Sequence, residues 1–180
     1  MQSSDAGGED STAPAASDGG AGAGPDATVP AEEASGSPAP TVEAQAPGSA
    51  LVVTGVEIAP PEGWQVTGVS ADDTSEVVSA TSEDGQLLSV RSVRSEITAE
   101  EHLAELRAAD SDQAADAPEL VADGETLQGV ETRLATSGGE IVQLQYVTRR
   151  GDSLITIDLV TTAEGRDALL DQVASGTTWT

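Results

Sequence analysis

Residues 51–58, LVVTGVEI, form an apolar, β-rich run that Pro60 and Pro61 end, because proline has no N–H to give to a strand ladder. Gly63 then frees the backbone for a turn, and Trp64 opens a second extended piece, WQVTGV, at 64–69. The runs 75–82 and 86–93 flank Glu83-Asp84-Gly85, a turn signal that predicts a hairpin. The period changes over 97–112, ITAEEHLAELRAADSD. There Leu103 and Leu106 share a helical face, Thr98 and Glu101 fit a capping box, and Ile97 sits where a hydrophobic staple begins. SDQAADAP reads as a loop that ends at Pro118. Strands are expected over 126–136 and 140–149, separated by Ser137-Gly138-Gly139. Arg150-Gly151-Asp152 turns the chain into 153–161, where Ile155, Ile157 and Leu159 alternate. A second helix begins with a capping box from Thr161 to Glu164, carries Leu169, Leu170 and Val173, and stops near Gly176. This order predicts an α+β fold, a mainly antiparallel β-sheet packed between or against two to three helices.

Residues 1–50 break every period. They are mostly Ala, Gly, Ser and Pro, with Val29 and Val42 almost alone as larger apolar groups. Such a segment cannot bury enough surface to offset the entropy of ordering, so 1–50 is expected to be a disordered acidic spacer and 51–180 a folded domain. MQSSDAGGEDSTAP is the kind of small, polar start that follows the acylated Cys of a mature lipoprotein, with Met1 standing where that Cys would be. The expectation is an extracytoplasmic protein, either membrane-anchored through lipid or secreted.

Charge narrows the choice of partners. Eight of the 32 acids and none of the seven bases fall in 1–50, which leaves 24 acids against seven arginines, a net −17, for residues 51–180. An anionic polymer would be repelled, so nucleic acid is not an expected partner. There is no Cys for a disulfide or a thiolate site. No cofactor is expected, and no metal site is assigned. The run from Asp110 to Asp116 fails as an EF-hand, because Ala115 stands where the loop needs Gly and Val121 where it needs a bidentate acid.

GVEIAPPEGWQV, at 55–66, resembles the early G-x-x-[IVF]-x-x-P-x-G-W segment of the PsbP-like fold. The order that follows is similar too: a hairpin, a helix, the strands of 127–162 and a terminal helix running to QVASGTTW. Among bacterial members the chain resembles the actinobacterial LpqN-type lipoproteins, which join an acylated N-terminus, a low-complexity spacer and one such domain. The resemblance covers residues 51–180 and implies an α/β/α sandwich with a role around envelope lipid or glycolipid export. The chain departs from the family in its scarcity of aromatics: two Trp, one Tyr and no Phe.

Trp64 and Trp179 are the candidates for a ligand lid or a partner hot spot, although core packing is the reading that so few aromatics favour. Arg133, Arg149 and Arg150 lie on or beside neighbouring predicted strands. They could form a small basic spot for an anionic headgroup or an acidic partner, or pair with carboxylates across strands. Arg150-Gly151-Asp152-Ser153 spells an adhesion tetrapeptide but reads as a tight turn. His102, the one histidine, has no second His or Cys beside it and no G-x-S-x-G elbow in the chain, and reads as a partly exposed helix residue. No catalytic residue is assigned. The sequence points to a monomeric, non-catalytic envelope lipoprotein domain that binds a partner protein or an apolar or glycolipid ligand. An assembly factor docking on a membrane complex, or a carboxylate-based hydrolase, is the alternative.

Overall fold

The computed structural model describes residues 48–109 and 112–180. The spacer expected over 1–50 therefore lies, up to residue 47, outside the described residues, as do Met1 and Asp110.

The run 51–58 is two strands, β1 (Leu51–Val53) and β2 (Val56–Ile58), folded back on each other with Val53 opposite Val56. The break comes at Thr54-Gly55, where Gly55 takes φ 95 and closes a two-residue loop. β3 (Gln65–Ala71), β4 (Ser75–Thr81) and β5 (Leu87–Arg94) then form the expected meander, with Gly85 in the turn at φ 81.

Helix α1 (Ala99–Ala109) follows. Its capping box forms as expected: Glu101 N–H donates to Thr98 Oγ1 at 3.1 Å, and Thr98 N–H donates to Glu101 Oε2 at 2.8 Å. The bond from Thr98 N–H is the main cause that holds the Glu101 carboxyl below the usual carboxylate range. Thr98→Ala removes one side of this box and is expected to cost roughly 1 kcal/mol, read as a lower midpoint in urea unfolding.

The stretch expected as loop contains β6 (Ala114–Asp116), and β7 (Leu120–Ala122) follows it. Both pair with β8 (Glu125–Thr136), and the turn into β8 is Asp123-Gly124 at φ 46 and 78. β9 (Gly139–Arg150) and β10 (Ser153–Thr162) complete the main sheet. Helix α2 (Arg166–Gly176) starts later than expected. The capping box at Thr161 does not form, because β10 runs on to Thr162 opposite Ile141, and Gly165 occupies the cap without a side-chain bond. The final residues form β11 (Thr177–Trp179), which pairs with β2.

The main sheet has eight strands in the order β3-β4-β5-β10-β9-β8-β6, with β7 paired to β8 off that path, and β1-β2-β11 is a second sheet of three. Every pairing is antiparallel. Alternation along the strands gives the main sheet two different faces. One carries Leu88, Val90, Leu144, Tyr146, Ile157 and Leu159 and packs with Leu169, Leu170 and Val173 of α2 and with the small sheet. On the other, Leu103 of α1 packs on Val130, Val147 and Leu154. The two helices thus cover opposite faces, the layered α+β arrangement expected. α1 packs on β6, β8 and β9, so β3 to β5 lie beyond its cover.

Candidate functional site

The structure divides four of the five sequence candidates among three places and buries the fifth. Trp64 is 6% exposed and belongs to the main core. Trp179 lies half-buried at the other end of the chain, and its indole Nε1–H donates to the Ala122 carbonyl at 3.1 Å. The Arg150 guanidinium lies 4.3 Å from the centre of that ring and is also bonded to Glu125. Arg150 and Trp179 are therefore brought together.

Arg149, the next residue on the strand, projects to the opposite face and donates to the Ile97 carbonyl at 2.8 Å. Arg133 stands opposite Val142, eight residues along β9 from Arg150, which is roughly 26 Å of strand. It pairs with Glu131 and, at 2.9 Å, with Glu140. Glu131 is 4% exposed and also takes Arg166 at 3.1 Å, so this cluster ties β8 to the start of α2. The Arg150-Gly151-Asp152 turn uses Gly151 at φ 54, and the arginine of the tetrapeptide is folded onto Trp179 rather than presented at its tip.

A different place has the geometry of a site. Where α1 ends its cover of the sheet, a groove of about 490 Å³ opens, with α1 as one wall and β5, β10 and β9 as its floor. Ile97, Leu106, Val93 and Leu154 supply apolar surface, while Arg91, His102, Gln145, Thr156 and Asp158 supply polar groups. Register explains this convergence. Asp158 stands opposite Gln145 on one side and Ser89 on the other, and Thr156 stands opposite Arg91. These side chains project from the same face. Gln145 Nε2 donates to Asp158 Oδ1 at 2.6 Å, and one strand further Ser79 Oγ donates to Ser89 Oγ at 2.9 Å.

Burial raises the Asp158 pKa from its ordinary 3.8, opposed by the Gln145 bond and by the nearby charges of Arg91 and His102. A carboxyl with a raised folded-state pKa favours the protonated native protein. Its stabilising effect is thus complete below pH 3.8 and is lost as pH rises through the folded-state value. Asp158→Asn keeps the shape and removes the buried charge. The variant is expected to melt higher than the parent at pH 7 and to converge with it near pH 3.5, as calorimetry across that range would show.

His102 is the partly exposed helix residue that its sequence suggests. It faces the groove half-buried, and its Nδ1 is buried without a hydrogen-bond partner, the Glu105 carboxylate standing 3.5 Å away. Arg91, Gln145, Thr156 and Asp158 were not among the sequence candidates. They come from three strands remote along the chain, and only the register joins them. Among the described residues, no group of three or more His, Cys, Asp or Glu is placed to hold a metal ion. No helix among them is long and apolar enough to cross a membrane.

No family model matches the chain. No curated protein matches it either. Among solved structures, a protein from Bacteroides thetaiotaomicron is similar at 9% identity and TM-score 0.49 over 75% of this chain, which spans about half (49%) of that protein's length. The cyanobacterial PsbP (CyanoP) of Synechocystis sp. PCC 6803 is similar at 22% identity and TM-score 0.46, covering 70% of this chain and 87% of that one. LpqN of Mycobacterium tuberculosis, described as involved in cell envelope biogenesis, is similar at 14% identity and TM-score 0.40, covering 75% and 86%. A PsbP protein and an LpqN, the two types that residues 51–180 resemble, are both among these structures. Likeness at this level brings no activity, ligand or partner to this chain.

Proposed function

We propose that residues 51–180 form a non-catalytic binding domain of the cell envelope that holds an amphipathic ligand in the groove between α1 and the sheet. The groove itself carries this reading. Its volume of about 490 Å³ suits a small molecule, and it sets a few convergent polar groups beside an apolar strip, the usual make-up of a ligand site. Binding is favoured over hydrolysis because Asp158 is, among the described residues, the one carboxyl lining the groove, where a carboxylate hydrolase needs two. That carboxyl also already accepts from Gln145. Placement at the envelope is supported by residues 1–50, whose small and acidic composition suits a tether between a lipid anchor and the domain.

Native mass spectrometry of the protein drawn from its own envelope tests this. An adduct of lipid or glycolipid mass is expected on the parent chain. It should be absent from Val93→Trp, which fills the groove from its floor, while circular dichroism shows the fold retained. A bare mass for both chains would overturn the proposal.

A further inference from the structure

We infer that Arg91 makes the groove selective for an amphiphile with a carboxylate head. This rests on the groove being a ligand site, and it adds what that ligand carries. Arg91 lies on β5 directly opposite Thr156 and diagonal to Asp158, so its guanidinium rises from the same face at the groove's edge.

Five of the other six arginines are engaged within the fold. Arg107 is paired with Asp116, Arg133 with Glu131 and Glu140, Arg150 with Glu125, and Arg166 with Glu131 and Asp167. Arg149 is bonded to the Ile97 and Gly151 carbonyls. The side chains of Arg91 and Arg94 make no ion pair or hydrogen bond among the described residues, although residues 51–180 hold 24 acids, and of the two only Arg91 lines the groove. A guanidinium left open beside an apolar strip has five donors arranged as a planar fork, and a carboxylate fits that fork with two parallel bonds.

The surroundings select further. His102, on the facing wall, has its Nδ1 3.5 Å from the Glu105 carboxylate, and its imidazole can supply a second donor to the groove. Asp158 lines the same groove, and burial together with the Gln145 bond mutes its opposition to an anion. Val93, Leu154, Leu106 and Ile97 leave an apolar track for a chain, and Ile97 is 36% exposed. The net charge of −25 argues against a doubly charged phosphate head. A single negative charge meets Arg91 at contact range, whereas carboxylates beyond about 8 Å are screened at physiological salt.

The test uses decanoate and decyl glucoside, which share an alkyl chain and differ in head charge, titrated below micelle formation into the full chain at pH 7 and 0.15 M salt. Calorimetry gives affinity, and the imidazole signals of the one histidine report occupancy of the groove. Decanoate is expected to bind about tenfold tighter than decyl glucoside and to move the His102 signals. Arg91→Gln, an exposed and isosterically mild change, should erase that tenfold preference and leave decyl glucoside binding as it was. Equal affinities for the two, unchanged by Arg91→Gln, would overturn the carboxylate inference while leaving the groove as a binding site. Failure of both amphiphiles to move the His102 signals would overturn both readings together.

Discussion

Replacing Tyr146 by alanine is expected to destabilise the domain by about 4 kcal/mol, a large part of what a domain of this size has. Tyr146 is fully buried at the centre of β9. Its ring lies over Gly129, its cross-strand partner, and a Cβ added there would stand 2.7 Å from the ring. Glycine and tyrosine thus form one packing unit: the strand gives up a side chain so that the aromatic can lie across it. The phenol donates to the Pro118 carbonyl at 2.8 Å, fixing the segment before β7, and burial drives its pKa upward. Tyr146→Phe should therefore cost only roughly 1 to 2 kcal/mol, for the carbonyl left without its donor. Gly129→Ala attacks the same unit from below and should cost about 3 kcal/mol by overpacking. The added Cβ would also stand 2.7 Å from the Gln145 carbonyl, so Tyr146→Ala should relieve only part of the cost of Gly129→Ala, and urea unfolding of the four chains measures that coupling.

Trp179→Ala is expected to cost about 3 kcal/mol, and the loss should appear as stability rather than as ligand affinity. The indole joins three elements at once. It belongs to β11, paired opposite Val56 of β2; it donates to Ala122 of β7; and its face carries the Arg150 guanidinium at the end of β9. Arg150→Ala should cost less but should not add to Trp179→Ala, since each removes the same stacked contact. A Trp179 variant that melts like the parent yet loses ligand would show instead that the indole is a lid.

Much of the fold is legible in the sequence wherever a turn residue and a change of period coincide. Glu83-Asp84-Gly85, Ser137-Gly138-Gly139 and Arg150-Gly151-Asp152 mark three hairpins, and Thr98 with Glu101 marks the start of α1. Thr54-Gly55 is harder to see, because the apolar pattern continues unchanged across a two-residue loop and reads as one strand. Asp123-Gly124 carries the same hairpin chemistry, but β7 has only three residues beside it. At Thr161 a good local capping pattern loses to ten residues of ladder with β9. Tertiary pairing outweighs the local signal there.

The groove is less legible still. Asp158 falls on the polar alternation of its strand and reads as a solvated residue. It becomes half-buried only because α1 lies over the neighbouring strands and leaves the sheet partly covered. Arg91, Gln145 and Thr156 read in the same way until the register of β5, β10 and β9 sets them side by side.

The most direct test of the binding role is an amide ¹H–¹⁵N map of the chain recorded as decyl glucoside is added. The groove account predicts shifts concentrated in three places: residues 91–97 of β5 and the turn after it, 102–106 of α1, and 145 with 154–158 of the facing strands. Shifts gathered instead at 122–125, 149–150 and 177–180, around Trp179, would contradict it and move the site to the opposite face of the sheet.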